Sequence, residues 1–189
     1  MRDARVSLSL TRAMLLTITR EECGFPGIAL ASSPSLCFPA TAMADDKPLP
    51  AAIAAPGETV VLTVHAVGLQ LYECKPGADG KLAWTFIAPQ ATLTAEGKVV
   101  GKHGAGPTWE LLDGSGITAK AVANAPGETA QDIAWLKLEV TSHKGAGRLD
   151  GVTTVQRINT RGGVLKGSCD QERGEGMPYE ADYVFLKKA

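Results

Sequence analysis

The densest group of side chains able to do chemistry is HGAGPTWELLDGS, from His103 to Ser115. A His, a Glu and an Asp within about ten residues could supply a general base, an acid or metal ligands. If the segment is a strand, alternation puts Trp109 and Leu111 on one face and Glu110 and Leu112 on the other. His103 reaches the same face only if the intervening Gly104–Pro107 stretch turns the chain back. The plainer reading is structural: the glycines and Pro107 shape a loop, Trp109 fills a core, and Asp113-Gly114 makes a turn.

Arg157, in VTTVQRIN, is expected to share a face with Val155 and Asn159. A cation on a buried face needs a carboxylate or carbonyls, for which Glu110 and Asp113 are candidates; the sharper alternative is an arginine that binds an anionic ligand. The ligand-binding candidates are thus His103, Trp109, Glu110, Asp113, Ser115 and Arg157. Trp84, Trp109 and Trp135 could stack a sugar or aromatic ligand, although aromatics in a small β-domain serve the core more often. His65, in an apolar run, and His143, before a glycine turn, lack metal-motif spacing and read as structural. Neither a GxSxG elbow nor a GxGxxG fingerprint is present, so serine hydrolysis and dinucleotide binding have no motif. No cofactor is implied, and no metal site is proposed.

These residues must be positioned by strands. From Glu58 onward, runs rich in β-branched and aromatic residues alternate with glycine turns, at 59–66, 68–74, 81–88, 98–103, 108–113, 117–123, 133–140, 152–159 and 179–186. About nine short strands at this spacing predict a single all-β domain over 58–189, an antiparallel β-sandwich or a barrel. In the last run Tyr179, Ala181, Tyr183 and Phe185 alternate with Glu180 and Asp182, which predicts one buried and one wet face on a strand near an edge.

Composition narrows the partners. With 19 Lys and Arg against 20 Asp and Glu, the net charge is -1, which gives no field for a phosphate backbone, so nucleic acid is excluded as a partner. No run of about 18 apolar residues predicts a permanent membrane span.

Residues 1–44 read as a signal peptide or a disordered leader. Arg2, Arg5, Arg12 and Arg20 precede Ala42-Met43-Ala44 and the acidic Asp45-Asp46, a small-residue pattern suited to cleavage after Ala44. The apolar stretch from Ala13 to Ile18 is short, and Pro26, Pro34 and Pro39 interrupt the next. Residues 45–57, rich in Pro and Ala, read as a linker or loose arm. Export, to a periplasmic or extracellular location, removes Cys23 and Cys37 and leaves Cys74 and Cys169 as an even pair, which predicts a disulfide. The loop it closes holds about 95 residues, and the chain-entropy gain for such a loop is roughly 4 to 5 kcal/mol.

The order GLQLYEC, WTFIAPQATL, GKHGAGPTWELLDGS, IAWLKLEV, VQRINTRGG with Cys169, and YEADYVF resembles a secreted family of bacteria and fungi known only as a domain of unknown function. Its HxAGPxWE-x-x-DGS segment is matched here by His103, Ala105, Gly106, Pro107, Trp109, Glu110, Asp113, Gly114 and Ser115. The resemblance implies no activity or catalytic residues. The expectation is therefore an exported, non-enzymatic module that binds a small molecule, a glycan or another envelope component. The alternatives are a hydrolase-like or metal-dependent enzyme built on His103, Glu110 and Asp113, and a structural protein without a ligand site.

Overall fold

The computed structural model describes residues 48–189; the expected leader, its cleavage site, Cys23 and Cys37 lie outside the described residues. Eight strands follow in chain order: β1 (Glu58–Pro76), β2 (Leu82–Ala95), β3 (Lys98–Gly104), β4 (Thr108–Leu111), β5 (Gly116–Ala125), β6 (Trp135–Lys144), β7 (Thr154–Gly162) and β8 (Gly174–Lys188). Each pairs antiparallel with the next, and β8 returns to pair with β1, so the sheet closes into an up-and-down barrel. Of the two architectures expected, the barrel is the one formed.

The nine expected strands become eight because the runs 59–66 and 68–74 are one strand. Gly68 opens the second of these runs, and it marks close packing inside the single strand. A Cβ there would sit 2.1 Å from the Gln90 carbonyl oxygen and 2.5 Å from the Ala91 Cα. A glycine inside a strand is the usual answer where two backbones meet this closely. The closed sheet also removes the edge expected at Tyr179–Leu186, since β8 has a neighbour on both sides. Register shifts in β1, β2, β5 and β7 supply the local bends that closure of a sheet requires.

Alternation sets the interior. Val64, Ala66, Leu93, Trp109, Leu111, Ile117, Leu138, Val155, Ala181, Tyr183 and Phe185 are buried together in one core. On β8 the expected division holds: Tyr179, Ala181, Tyr183 and Phe185 are buried, while Glu180 faces solvent and Asp182 is half-buried.

Outside the barrel wall a 3-10 turn (Ala51–Ile53) buries Ile53 against Ala125 and Trp135. The Gln156 amide donates to the Ile53 carbonyl at 2.7 Å and Lys137 Nζ to the Ala54 carbonyl at 3.0 Å. The segment read as a loose arm is thus docked over its described part. Apolar burial of one isoleucine is worth about 2 kcal/mol, enough to hold a short segment that also completes two hydrogen bonds.

Cys74, at the end of β1, is disulfide-bonded to Cys169. The bond fastens the loop between β7 and β8 to the mouth of the barrel. Backbone hydrogen bonds do the same on both sides of it, from Trp84 to Gly167 and from Cys74 to Arg173.

Candidate ligand-binding site

The two ends of the barrel are filled differently. At the end formed by the β2–β3 and β4–β5 turns and the β6–β7 loop, Leu93, Leu111, Ile117, Leu149, Val152 and Phe185 close the interior as an apolar floor. At the other end, under the β3–β4, β5–β6 and β7–β8 loops, the interior opens into a cavity of about 700 Å³. Eight-stranded barrels have room either to be filled by side chains or to hold one small ligand, and this barrel does one at each end.

The deep wall of the cavity is polar and aromatic. Gln70 reaches it from β1, His103 from β3, Trp109 from β4, Arg157 from β7 and Tyr183 from β8, while Tyr72 of β1 lies opposite Phe86 nearer the rim. The β3–β4 hairpin folds back as the proposed face-sharing required, placing His103 directly opposite Trp109. Their rings stack with centroids 4.5 Å apart and planes 14° apart, and Tyr183 abuts both, at 4.9 Å from His103 and 5.3 Å from Trp109. The rim is mainly apolar. Phe86 and Ile87 stay 48% and 43% exposed there, beside Pro126 and the mouth loops.

His103 is a neutral imidazole. Its Nδ1–H donates to the Thr108 carbonyl at 2.7 Å, because a carbonyl can only accept, which leaves Nε2 unprotonated. Burial is the main reason its pKa falls from 6.5 to about 4, and the positive charge of Arg157 pushes the same way. The phenols of Tyr179 and Tyr183 are pushed up, again chiefly by burial, so both stay protonated. The positive charge of Arg157 opposes that rise at both hydroxyls, and the Gln70 amide opposes it at Tyr179. Even so, Tyr179 and Tyr183 Oη, Gln70 Nε2 and Trp109 Nε1 are buried without a hydrogen-bond partner.

Arg157 finds the carbonyl that a buried cation needs, and no carboxylate. Its Nε and Nη2 donate to the Ala134 carbonyl, at 3.1 and 2.8 Å. It forms no ion pair with a carboxylate among the described residues, and neither Glu110 nor Asp113 is near enough to serve. Asn159 does not share its face. A left-handed backbone at Asn159 (φ 51°) and a register shift between Ile158 and Arg161 turn the Asn159 side chain outward, onto Asp182.

The other candidates sit apart from this wall. Glu110 points outward from β4 and is clamped by Lys102 (2.9 Å) and Lys144 (3.3 Å), whose hydrogen bonds hold its pKa below the usual value. Asp113 and Ser115 belong to the floor. Asp113 Oδ1 accepts from the Ser115 amide (2.9 Å) and hydroxyl (2.6 Å), and its Oδ2 accepts from the Arg148 amide (2.9 Å). The Ser115 hydroxyl oxygen in turn accepts from the Leu149 amide, so this network ties the β4–β5 turn to the loop that plugs the floor. The hydrogen bond from Ser115 is the largest of the influences that lower the Asp113 pKa from 3.8 to about 2. Gly147 is needed beside it, since a Cβ would lie 2.8 Å from the Asp113 carboxylate. His103, Glu110 and Asp113 therefore do not converge, and the acid–base or metal cluster they could have formed is not assembled.

Among the described residues no group of three or more His, Cys, Asp or Glu could hold a metal. His65 pairs with Asp182 on the outer surface and His143 Nε2 is bonded to the Val152 carbonyl. Trp135 packs under Ile53, and the Arg173 guanidinium lies over Trp84 at 5.1 Å, so only Trp109 of the three tryptophans lines the cavity.

Several residues of the site were not singled out from the sequence. Gln70, Tyr72 and Tyr183 occupy inward positions of alternating runs, and a polar side chain in the buried set of such a run was the available signal. Asp132 had none. Its carboxylate accepts from the Thr129 hydroxyl (2.7 Å) and amide (2.9 Å) and from the Gly162 amide (2.6 Å), stitching the β5–β6 loop to the end of β7. The Thr129 hydroxyl bond leads the causes that lower its pKa. With Thr160 donating to the Ile133 carbonyl and Tyr72 to the Gly163 carbonyl, the rim is held by side chains from inside the barrel.

Residues 55–187 match the family described as Protein of unknown function (DUF3455). Comparison with curated proteins and with solved structures finds no match.

Proposed function

We propose that this chain, which belongs to the DUF3455 family, is an exported, non-enzymatic binding protein whose barrel holds one small, largely apolar molecule. The observation that carries the reading is the cavity itself. About 700 Å³ of space opens at one end of an otherwise filled barrel, within the size range of small-molecule sites. A protein serving only as a scaffold would gain stability by filling that space as it fills the floor, because packed contacts are lost along every open wall. Apolar side chains at the rim and a few polar groups in the deep wall are the usual division of labour in such sites, the first supplying affinity and the second orientation. Export is supported by the Cys74–Cys169 disulfide, which persists in an oxidising compartment, and no helix among the described residues is long and apolar enough to cross a membrane.

The test is a titration with the neutral fluorophore N-phenyl-1-naphthylamine. Saturable, one-to-one enhancement is expected, and Ala121→Trp, which places an indole on the cavity wall, should abolish it while the near-ultraviolet circular dichroism stays that of a folded protein. Absence of saturable binding to the unmodified protein overturns the proposal.

A further inference from the structure

The deep wall of the cavity has a polarity of its own. Arg157 is a cation inside the barrel that spends two of its donors on one carbonyl and meets no carboxylate among the described residues. Around it, Trp109 Nε1, Tyr183 Oη and Gln70 Nε2 are buried and unpaired, and each is a group that can donate. The wall therefore holds one positive charge and three unpaired donors, and His103 Nε2 faces them as a neutral acceptor. What such a wall lacks is an acceptor that carries one negative charge.

We infer that the molecule held in the barrel carries a single carboxylate, seated against Arg157 at the deep end of the cavity, with its apolar body directed toward the Phe86 and Ile87 rim. The inference rests on the binding role proposed above and gives that role a ligand class. A carboxylate has two coplanar oxygens that match the guanidinium fork, and the charge-assisted bonds they form are the stronger kind. Charge number favours it over phosphate. The deep wall has one cation, Lys166 lies out at the rim, and a dianion would remain partly uncompensated in a buried place, which is costly. A neutral ligand would leave the Arg157 charge with a carbonyl but no counter-charge, and would meet the neighbouring donors with weaker bonds.

Calorimetric titration with two matched pairs tests this: 2-naphthoate against 2-naphthamide, and decanoate against decan-1-ol. The carboxylate of each pair is expected to bind about ten-fold or more tightly than its neutral counterpart. Arg157→Gln should erase that preference while N-phenyl-1-naphthylamine still binds. If this variant does not fold, the comparison of pairs in the unmodified protein decides alone. Equal affinity within each pair, or binding of the fluorophore but of neither carboxylate, overturns the carboxylate anchor and leaves the binding role standing. Failure of the fluorophore and all four ligands to bind removes both.

Discussion

The floor and the mouth of this barrel are built from the same eight strands with opposite solutions to burial. In the floor, Leu93, Leu111, Ile117, Leu149, Val152 and Phe185 fill the space with hydrocarbon, and the polar network of Asp113 with Ser115 and the amides of Arg148 and Leu149 satisfies itself. In the mouth, Gln70, Tyr183 and Trp109 keep unpaired polar atoms beside open volume, and a cation stands without a carboxylate. Buried polar groups cost free energy unless they are paired. At the floor end Thr154 Oγ1 and Glu58 Oε2 carry that cost singly, whereas at the mouth the unpaired atoms gather about one cavity, which is the pattern expected where one half of a fold is committed to stability and the other to a ligand.

This contrast can be broken by perturbing one half and reading the other. The largest effect belongs to the floor. Leu149 is fully buried among the core side chains, so Leu149→Ala should cost about 2 to 5 kcal/mol in urea unfolding and leave the affinity for N-phenyl-1-naphthylamine within a few-fold of the original. A parallel loss of binding affinity in the folded variant would mean that the two halves are not separable.

Acid distinguishes the halves next, because the titratable groups fall in different windows. His103, with Thr108, Arg157, Trp109 and Tyr183 about it, has a folded pKa of about 4 against 6.5 when exposed. The unfolded chain therefore binds the proton more readily between those values. The stability contributed by the neutral imidazole is complete above pH 6.5 and is lost as pH falls to about 4, on the order of 3 kcal/mol in all. Asp113 has a folded pKa near 2 against 3.8; its contribution is complete above 3.8 and is lost only as pH falls toward 2, and it is smaller because the carboxylate is partly exposed. Denaturant midpoints measured from pH 7 to pH 2 should show a first decline that His103→Gln removes and a second that Asp113→Asn removes. A single decline below pH 4, unaffected by His103→Gln, would contradict the placement of His103.

Much of the fold was legible because alternation and glycine turns are local signals. The all-β class and the division of β8 into a buried tyrosine face and a wet acidic face follow from side chains two apart, and the disulfide from the even pair of cysteines beyond residue 44. What was not legible depended on distant backbone. Gly68 reads as the start of a separate strand until the Gln90 carbonyl is placed beside it, and a sandwich is told from a barrel only when β8 finds β1. The candidate site erred for a related reason. His103 and Ser115 are the two ends of one continuous motif of thirteen residues, yet a strand rises about 3.3 Å per residue, so the four residues of β4 carry the chain from the mouth to the floor. Trp109 and Glu110 are adjacent in sequence and lie on opposite sides of the wall. Arg157, more than forty residues downstream, joins His103 and Trp109, and the anion-binding alternative raised for it fits its surroundings better than the ion pair with Glu110 or Asp113.

The most direct test uses the tryptophans as internal reporters. Trp109 lines the mouth cavity, whereas Trp135 is sealed outside the barrel under Ile53. In a ¹H–¹⁵N correlation spectrum of the labelled protein, saturation with N-phenyl-1-naphthylamine should move the Trp109 indole N–H resonance and leave that of Trp135 in place. An unmoved Trp109 signal in the presence of bound fluorophore, or equal shifts at both indoles, would contradict a ligand site inside the barrel.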